Sequence, residues 1–487
     1  MMGSMQFKFL NEIHIIKKET DWNHSEYSKL WLYNLHYFDD LNSSKAESRG
    51  DWHRDLIAKW INENPTGKGN GWEPYPLSIR IVNWIKWALA GNTVEEEWLD
   101  SLAVQTRFLM QKIEWHLLGN HLFANAKALI FAGLYFEGSE AEHWYNTGLK
   151  IVENQLPEQV LDDGANFELS TMYHSIFLED LLDLLNLFKS YSIKRPDCMV
   201  DKTSSMLIWF KTMLHPDFEI SLFNDAAFDV SPHPLELINY SENLNLGMQA
   251  HTKRVTYLED SGYIRAQSND CVLFVDVGEI GPDYLPGHAH ADTLTFELSL
   301  FSERIFVNTG TSVYGVGEDR LKERGTASHN TVVIDNLNSS EVWSGFRVAR
   351  RARPFDLDID ETMEYVSIIG KHNGYKRISG KPIHKRTWHL TGTELKISDT
   401  ISGKKSHSIK SYFHIHPDVT IKKTQKYEYI LLTKSGQEMM INFESNVVIE
   451  LVAYDYHPEF GKSIPSTMFV CSIENELPIK IGMRIKW

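Results

Sequence analysis

The residues best suited to chemistry in this chain form a short His-x-His motif, His288-Ala-His290. Histidine titrates near neutral pH and its neutral ring is a common metal ligand, so two adjacent imidazoles can move protons or bind a metal. The following residues alternate towards Leu298, which predicts a strand with both imidazoles on one face. The alternative is a hydrogen-bonded structural pair near a strand end. This stretch is a candidate active site.

A second group of polar residues lies in the otherwise apolar stretch from Phe167 to His174. Glu168, Tyr173 and His174 carry side chains that serve in acid–base catalysis. Aromatic and histidine side chains on a helix face also serve in packing, so the residue types leave both interpretations open.

Asn120 and His121 stand directly before a helical run from Asn125 to Phe136. Asparagine is favoured at a helix N-cap, which is the structural interpretation of Asn120. The stretch stands out because it places polar groups in otherwise apolar surroundings.

A further polar group, Arg324 to His329, precedes the apolar run Thr331-Val-Val333. Arginine presents a planar fork that matches carboxylate or sulfate, although an arginine beside a histidine is often a solvent-facing pair. We expect His329 to enter another strand.

The elements that must position these residues change type along the chain. From about residue 25 to 245 apolar residues recur at helical spacing. After about residue 255 short β-branched runs, such as Cys271 to Val277, alternate with turn signals. This predicts an α+β multidomain protein, with stacked antiparallel helix pairs in residues 1–250 and an antiparallel β-sandwich in residues 251–487.

Composition excludes several classes of protein. The 487 residues are 42% hydrophobic and exceed one ordinary core, and the net charge of −16 argues against a nucleic-acid partner. Three widely spaced cysteines form neither a disulfide framework nor a CxxC zinc site. No run is long enough for a membrane span. No signal peptide is visible, which predicts a cytoplasmic protein as written, or a periplasmic or secreted one if a leader was removed. The oligomeric state stays open.

In combination the motifs resemble the heparinase II/III family of polysaccharide lyases, in particular the heparinase III branch. The resemblance also includes Tyr33-Asn-Leu-His-Tyr-Phe-Asp39 and Asn83-Trp84. It implies an (α/α) toroid followed by a C-terminal antiparallel β-sandwich, with the active cleft between them.

The resemblance also implies roles for individual residues. Asn120 matches the asparagine that binds the uronate carboxylate, and Tyr173 and His288 match the catalytic tyrosine and histidine. Cleavage would proceed by β-elimination of a 4-linked uronic acid in an anionic polysaccharide, such as a heparan sulfate-like glycosaminoglycan or a bacterial exopolysaccharide.

A metal site is implied as well. His290, Asn308 and His329 fall where family members that carry a metal have its ligands. The middle ligand is usually an aspartate, and Asn308 is a poorer zinc ligand, so Asp292 is an alternative carboxylate. We expect at most one divalent metal, zinc or calcium, in a structural role.

Substrate binding is expected to involve further polar and aromatic residues. The arginines from Arg347 to Arg353 offer cations for an anionic polymer, although a charge run is often a solvated strand. The predicted substrate-binding residues are His121, Glu168, His174, Arg324, Trp72 and Arg347.

Two other functions remain open. A glycoside hydrolase on the same toroid would need two carboxylates at the scissile bond, for which Asp162, Asp163 and Glu168 are candidates. A weakly catalytic carbohydrate-binding protein of exopolysaccharide synthesis is the other alternative, because a fold does not establish an activity.

Overall fold

The computed structural model describes residues 1–247 and 253–487. The predicted domain boundary between residues 250 and 251 lies outside the described residues. By internal packing the chain divides into two compact units. The first comprises Met1–Gln159 and Asp180–Val200, and the second comprises Val160–Glu179 and Asp201–Trp487.

Helices dominate the N-terminal half, as the apolar spacing predicts. The described helices are α1 Lys29–Tyr37, α2 Gly50–Glu63, α3 Pro74–Leu89, α4 Glu96–Gln111, α5 Gly119–Tyr135, α6 Ser139–Gln159, α7 Thr171–Ser190, α8 Met199–Met213, α9 Pro234–Asn243 and α10 Glu318–Glu323. None of them is long and apolar enough to cross a membrane.

The first unit is built around buried tryptophans. Helix α3 begins with Pro74, which is favoured in a first turn, and buries Ile81 and Trp84 on the side that faces the unit's interior. The guanidinium of Arg80 lies 3.8 Å from the ring centre of Trp60, and both residues are fully buried. This cation–π contact compensates in part for removing the arginine charge from water.

Strands dominate the C-terminal half. The described strands are β1 Gln6–Phe9, β2 Glu12–Ile15, β3 Val255–Leu258, β4 Tyr263–Ser268, β5 Cys271–Asp276, β6 Phe296–Leu300, β7 Glu303–Phe306, β8 Val332–Ile334, β9 Val342–Trp343, β10 Arg347–Val348, β11 Pro354–Glu361, β12 Tyr365–His372, β13 Ile383–Thr391, β14 Glu394–Ser402, β15 Ser406–His414, β16 Thr420–Gln425, β17 Glu428–Leu432, β18 Glu438–Phe443, β19 Val448–Tyr456, β20 Ile464–Glu476 and β21 Ile479–Lys486.

Antiparallel sheets of the second unit share one apolar core. Their strand orders are β3-β4-β5-β6-β7, β19-β20-β15-β8 and β11-β12-β13-β14-β21-β18-β17-β16. Buried residues alternate along β13, as expected when one sheet face is packed and the other is more exposed. Leu273, Phe469 and Trp388 represent the three sheets in the core. The predicted succession of helices and antiparallel strands is present.

Candidate active site

Tyr173 and His288 lie against each other in the second unit. Their ring centres are 3.8 Å apart and the rings are tilted by 30°. Ser170, the residue before α7, accepts a hydrogen bond from the backbone N–H of Tyr173 at 3.1 Å, as an N-cap serine does. The cap fixes Tyr173 in the first turn of α7. The fold therefore brings together a phenol and an imidazole that are far apart in the sequence.

The two histidines of the His-x-His motif bind one carboxylate, Asp225. His288 Nδ1 lies 2.9 Å from Asp225 Oδ2, and His290 Nε2 lies 2.8 Å from Asp225 Oδ1. The backbone adds a further link, because Asp225 N–H donates to the carbonyl of His288 at 3.0 Å. Asp225 consequently fixes both the position and the ring orientation of His288.

Asp225 is ionised because Arg320 faces it. Burial by itself raises the pKa of Asp225, but the guanidinium of Arg320 and hydrogen bonds from His288 and His290 hold it well below its ordinary value. Both terminal nitrogens of Arg320 donate to the carboxylate, Nη2 at 2.6 Å from Oδ2. An ionised carboxylate only accepts hydrogen bonds, so the bound ring nitrogens of both histidines carry their protons.

The His-x-His motif does not lie on a strand, contrary to the sequence prediction. Strand β6 begins at Phe296, and His288 and His290 belong to the irregular segment before it. Arg324 holds this segment, because its Nε and Nη2 donate to the carbonyl of Ala289 at 3.1 and 2.9 Å. Tertiary contacts to one carboxylate, and not the pleat of a strand, place both imidazoles on the same side.

Arg324 itself is fully buried and binds backbone carbonyls. It was predicted to bind substrate, but its guanidinium is occupied in holding the segment of His288. Burial lowers the pKa of Arg324 to about 10, so it remains charged at neutral pH. The structure therefore supports a positioning role for Arg324.

Glu168 and Tyr314 complete the surroundings of the Tyr173–His288 pair. Glu168 Oε2 lies 3.7 Å from His288 Nε2, and the Tyr314 hydroxyl lies 3.0 Å from that of Tyr173. Burial raises the pKa of Tyr314 well above its ordinary value, so this phenol keeps its proton. His288 remains 17% exposed, and its Nε2 is the ring nitrogen that Asp225 does not bind.

His174 does not belong to this group, although it follows Tyr173 directly. Its Nδ1 accepts from the backbone N–H of Asn166 at 3.2 Å, its Nε2 donates to the carbonyl of Met206 at 3.0 Å, and its ring stacks on Trp209. Burial lowers the pKa of His174 to about 3. The prediction of a substrate contact is replaced by a structural role, because both ring nitrogens are occupied by backbone groups.

The three predicted metal ligands form a chain of polar contacts from Asn308 through His329 to His290. His329 Nδ1 lies 3.0 Å from Asn308 Oδ1, and His329 Nε2 lies 3.2 Å from His290 Nδ1. Asn308 Nδ2 donates to Glu297 and its Oδ1 accepts from Thr295, which fixes the orientation of the amide. Asn308 thus binds the far side of the His329 ring and does not point at the nitrogens of the histidine pair.

His290 and His329 face each other through Nδ1 and Nε2, and binding of a metal at this pair remains a prediction. Burial lowers the pKa of His290 to about 4 and that of His329 well below its ordinary value, so both rings are neutral. Asp225 accepts a hydrogen bond from His290 Nε2, and Asn308 accepts one from His329 Nδ1. The other ring nitrogens, His290 Nδ1 and His329 Nε2, then each have a lone pair and face each other. Their separation resembles that of two tetrahedral zinc ligands, about 3.3 Å for Zn–N bonds of about 2.0–2.1 Å. Among the described residues no group of three or more His, Cys, Asp or Glu side chains is placed to hold a metal.

Asn120 and His121 belong to the first unit. Helix α5 begins at Gly119 with Leu118 in the cap position, so Asn120 is inside the first turn and is not the N-cap. His121 Nδ1 lies 3.0 Å from Glu114 Oε1, and its ring packs 4.4 Å from that of Tyr75. The predicted action of Asn120 and His121 on the substrate remains a prediction.

Trp72 and Arg347 differ in exposure. Trp72 is buried, donates from Nε1 to the carbonyl of Asn64 at 3.2 Å and packs edge-on against Phe108. Its predicted stacking on a sugar is corrected to core packing, since the ring faces are covered by protein. Arg347 is exposed on β10.

Family models match both halves of the chain. The model described as Heparinase II/III N-terminus matches residues 3–244, and Heparinase II/III-like, C-terminal matches residues 250–487. The chain belongs to the heparinase II/III family. A heparin-sulfate lyase of Bacteroides stercoris is 23% identical over an alignment of 447 positions, which covers 80% of this chain and 64% of the lyase.

Relatives of this heparinase II/III chain include one protein with a different name. FtsZ-localized protein C of Caulobacter vibrioides is 22% identical over 90% of this chain and 76% of its own length. The chain covers 47% and 48% of the heparin-sulfate lyases of Pedobacter heparinus and Bacteroides thetaiotaomicron. A solved structure of heparinase III superposes with a TM-score of 0.79 at 18% identity, over 97% of this chain and 80% of that one. The predicted fold class is confirmed.

Sequence reasoning missed the residues that organise this heparinase II/III site. Asp225, Arg320 and Tyr314 contact His288 or Tyr173 directly or through one partner, yet none lies in a motif that predicts it. The signal available for Asp225 was the Asn-Asp pair that ends the apolar run Ile220-Ser-Leu-Phe223. Such a pair also forms turns, so it does not identify a partner of His288.

Proposed function

We propose that this protein is a polysaccharide lyase that cleaves a 4-linked uronic acid residue by β-elimination. The observation that carries the proposal is the contact of Tyr173 with His288, whose Nδ1 is held by Asp225. Membership of the heparinase II/III family supports the same reaction class. The product would be a chain end with a 4,5-unsaturated uronate.

The difficult step is removal of the C5 proton. This proton is weakly acidic beside an ionised carboxylate, because its removal places a second negative charge next to the first. Hydrogen bonds aimed at the carboxylate stabilise the enolate-like state. We propose Asn120 for this task, with His121 beside it, on the resemblance of Gly119-Asn-His121 to the family motif.

His288 is suited to proton transfer by its fixed tautomer. Asp225 accepts a hydrogen bond from the Nδ1–H of His288. In the neutral ring the proton is therefore on Nδ1, and Nε2 has a lone pair on the partly exposed side of the residue. A base oriented by a carboxylate is the arrangement that general acid–base catalysis requires. Glu168, 3.7 Å from Nε2, stabilises the imidazolium that forms once His288 has taken a proton.

Tyr173 is suited to the complementary proton transfer. Tyr314 keeps its own proton and can donate it in a hydrogen bond to the Tyr173 oxygen, which stabilises the phenolate form. One of Tyr173 and His288 takes the C5 proton. The electrons of the C5–H bond form the C4–C5 double bond as the C4–O4 bond breaks, and the other residue protonates O4. Which residue does which depends on the sugar face that carries the C5 hydrogen.

The chemistry and the relatives both support a proposed substrate class. A 4-linked uronate polymer is required, and the matched heparin-sulfate lyases favour a heparan sulfate-like glycosaminoglycan over a bacterial exopolysaccharide.

Binding of a metal by His290 and His329 would fix the segment that carries His288. No proton transfer in the proposed reaction involves this metal.

Ultraviolet absorbance tests the proposal. The purified chain is incubated with heparan sulfate, heparin, hyaluronan, chondroitin sulfate, alginate and bacterial exopolysaccharides, with Tyr173→Phe as the matched control. A lyase produces a conjugated double bond and a rise in absorbance that the control lacks. New reducing ends without absorbance would establish the hydrolase alternative, and binding without either product would establish a carbohydrate-binding protein.

A further inference from the structure

A small hairpin in the second unit presents an aromatic ring and a cation side by side. Strands β9 and β10 pair antiparallel with Trp343 opposite Arg347. Directly opposed residues share one face of the ladder with Cβ atoms about 4.5–5.5 Å apart. Trp343 is 54% exposed and Arg347 is exposed as well. A large indole in solvent beside a guanidinium is unusual for a chain whose other tryptophans are mostly buried.

The hairpin is fastened to the residues that hold His288. Arg320 Nε donates to the carbonyl of Gly345 at 3.0 Å, and Arg324 Nη1 donates to the carbonyl of Ser344 at 3.3 Å. The same two arginines bind Asp225 and the carbonyl of Ala289. The turn between the strands is therefore fixed relative to the catalytic imidazole.

The turn also touches the imidazole itself. The ring of Phe346 lies 6.1 Å from the ring of His288, edge to face, and 5.3 Å from that of Tyr314. Arg347 follows Phe346 directly, about 3.8 Å further along the chain. The backbone that carries the exposed pair therefore lies beside the residues that surround His288.

Arg347 differs from the other arginines of its segment in having no acidic partner. Arg350 pairs with Glu341, and Arg351 and Arg353 both pair with Asp283. Within residues 1–247 and 253–487, no ion pair involves Arg347. In a chain of net charge −16 an unneutralised cation near the reacting groups favours an anionic ligand.

We propose that Trp343 and Arg347 form a substrate subsite for a sugar unit next to the cleaved uronate. The indole would stack on the apolar face of the pyranose, and the guanidinium would bind an anionic group of that unit, a sulfate or a carboxylate. The proposal rests on the proposed lyase function and assigns this subsite a role in selecting anionic polymers.

Kinetics on paired substrates test the subsite. The Michaelis constant and turnover number of Arg347→Gln are measured on heparan sulfate and on its chemically desulfated form, or on the cleaved polymer alone if that polymer carries no sulfate. We expect KM to rise about tenfold with kcat within about twofold, because a lost contact to a remote sugar weakens binding without changing the chemical step. An effect confined to the sulfated form identifies sulfate, and an equal effect on both forms identifies a carboxylate.

Matched variants separate the subsite from general effects of charge and folding. Arg350→Gln removes a neighbouring exposed cation that is already paired and should leave KM unchanged, while Arg347→Lys should restore part of the affinity. Trp343→Ala should raise KM on every cleaved polymer, and Trp343→Phe should raise it less. Equal KM values for Arg347→Gln and Arg350→Gln would overturn the subsite. Absence of any ultraviolet product with the unmodified chain would instead overturn the lyase function.

Discussion

Two clusters in the second unit contain the same residue types but differ in what they can do. Each has two histidines, one aspartate and one arginine. The candidate active-site cluster consists of His288, His290, Asp225 and Arg320. The sheet cluster consists of His372, His384, Asp399 and Arg386, on strands β12, β13 and β14.

The bonding inside the two clusters is closely similar. In each, a forked arginine binds the aspartate and a histidine ring nitrogen lies 2.7 to 2.9 Å from the same carboxylate. The difference is access. His288 is 17% exposed and stacks on Tyr173, whereas His384 is 0% exposed and its second nitrogen faces His372. A histidine that is oriented by a carboxylate can act as a catalyst only if its other ring nitrogen is accessible to a substrate. Of the two, only His288 meets this condition.

The largest expected effect comes from removing the reacting groups. Tyr173→Phe and His288→Ala should each lower kcat by about 10²–10⁴-fold, because each removes a proton donor or acceptor from the reaction. Circular dichroism and the melting temperature should stay near those of the unmodified protein. His384→Ala is the control from the sheet cluster and should lower the melting temperature without a comparable change in kcat. Near-normal turnover in both active-site variants would exclude the mechanism.

Paired aspartate variants test the comparison more sharply. Asp225→Asn should lower kcat on the order of a thousandfold, because an amide no longer enforces the Nδ1-protonated form of His288. Asp399→Asn should lower the free energy of unfolding by about 3–5 kcal/mol, because Arg386 becomes a buried unpaired charge, while the folded fraction keeps its kcat. Asp225→Asn also leaves Arg320 buried and unpaired, so urea unfolding should show a loss of stability in both variants, and the rate per folded molecule separates them. Equal loss of kcat in both variants would contradict the distinction.

A third test concerns the cation predicted between His290 and His329. EDTA should lower the melting temperature by about 1–2 °C for each kcal/mol of binding free energy lost, and added zinc should restore it. His329→Ala should abolish the response to EDTA, because it removes one of the two facing nitrogens. A melting temperature that does not change with EDTA would count against the metal.

The smallest effect concerns a carboxylate that, unlike Asp225, has no arginine. Burial raises the pKa of Asp292 to about 7, and in the described part of the chain its Oδ2 has no hydrogen-bond partner. Its folded pKa lies above the unfolded value of about 3.9, so folding binds a proton and stability falls as pH rises between about 4 and 7. Burial also raises the pKa of the neighbouring Asp276, so Asp292→Asn should remove only the part of this loss that Asp292 contributes. Its melting temperature relative to the unmodified protein should rise across that interval, and a pH-independent difference would refute the assignment.

Part of this arrangement could be predicted from the sequence. The periodicity of apolar residues predicted helices before about residue 245 and antiparallel strands after about residue 255, and both are present. The motifs pointed to Tyr173 and His288, which lie in contact. His174 could not be told apart from a substrate ligand, because only its packing on Trp209 and its backbone partners define its role.

The sequence by itself determined the order of secondary structure, because apolar spacing acts over a few residues. It also determined the residue types available for acid–base chemistry. Tertiary structure alone decided which of several histidines is oriented by a carboxylate and reaches solvent. The partners of His288 and Tyr173 are 63 and 141 residues distant, and whether a side chain keeps its proton depends on burial and on charges brought near by folding.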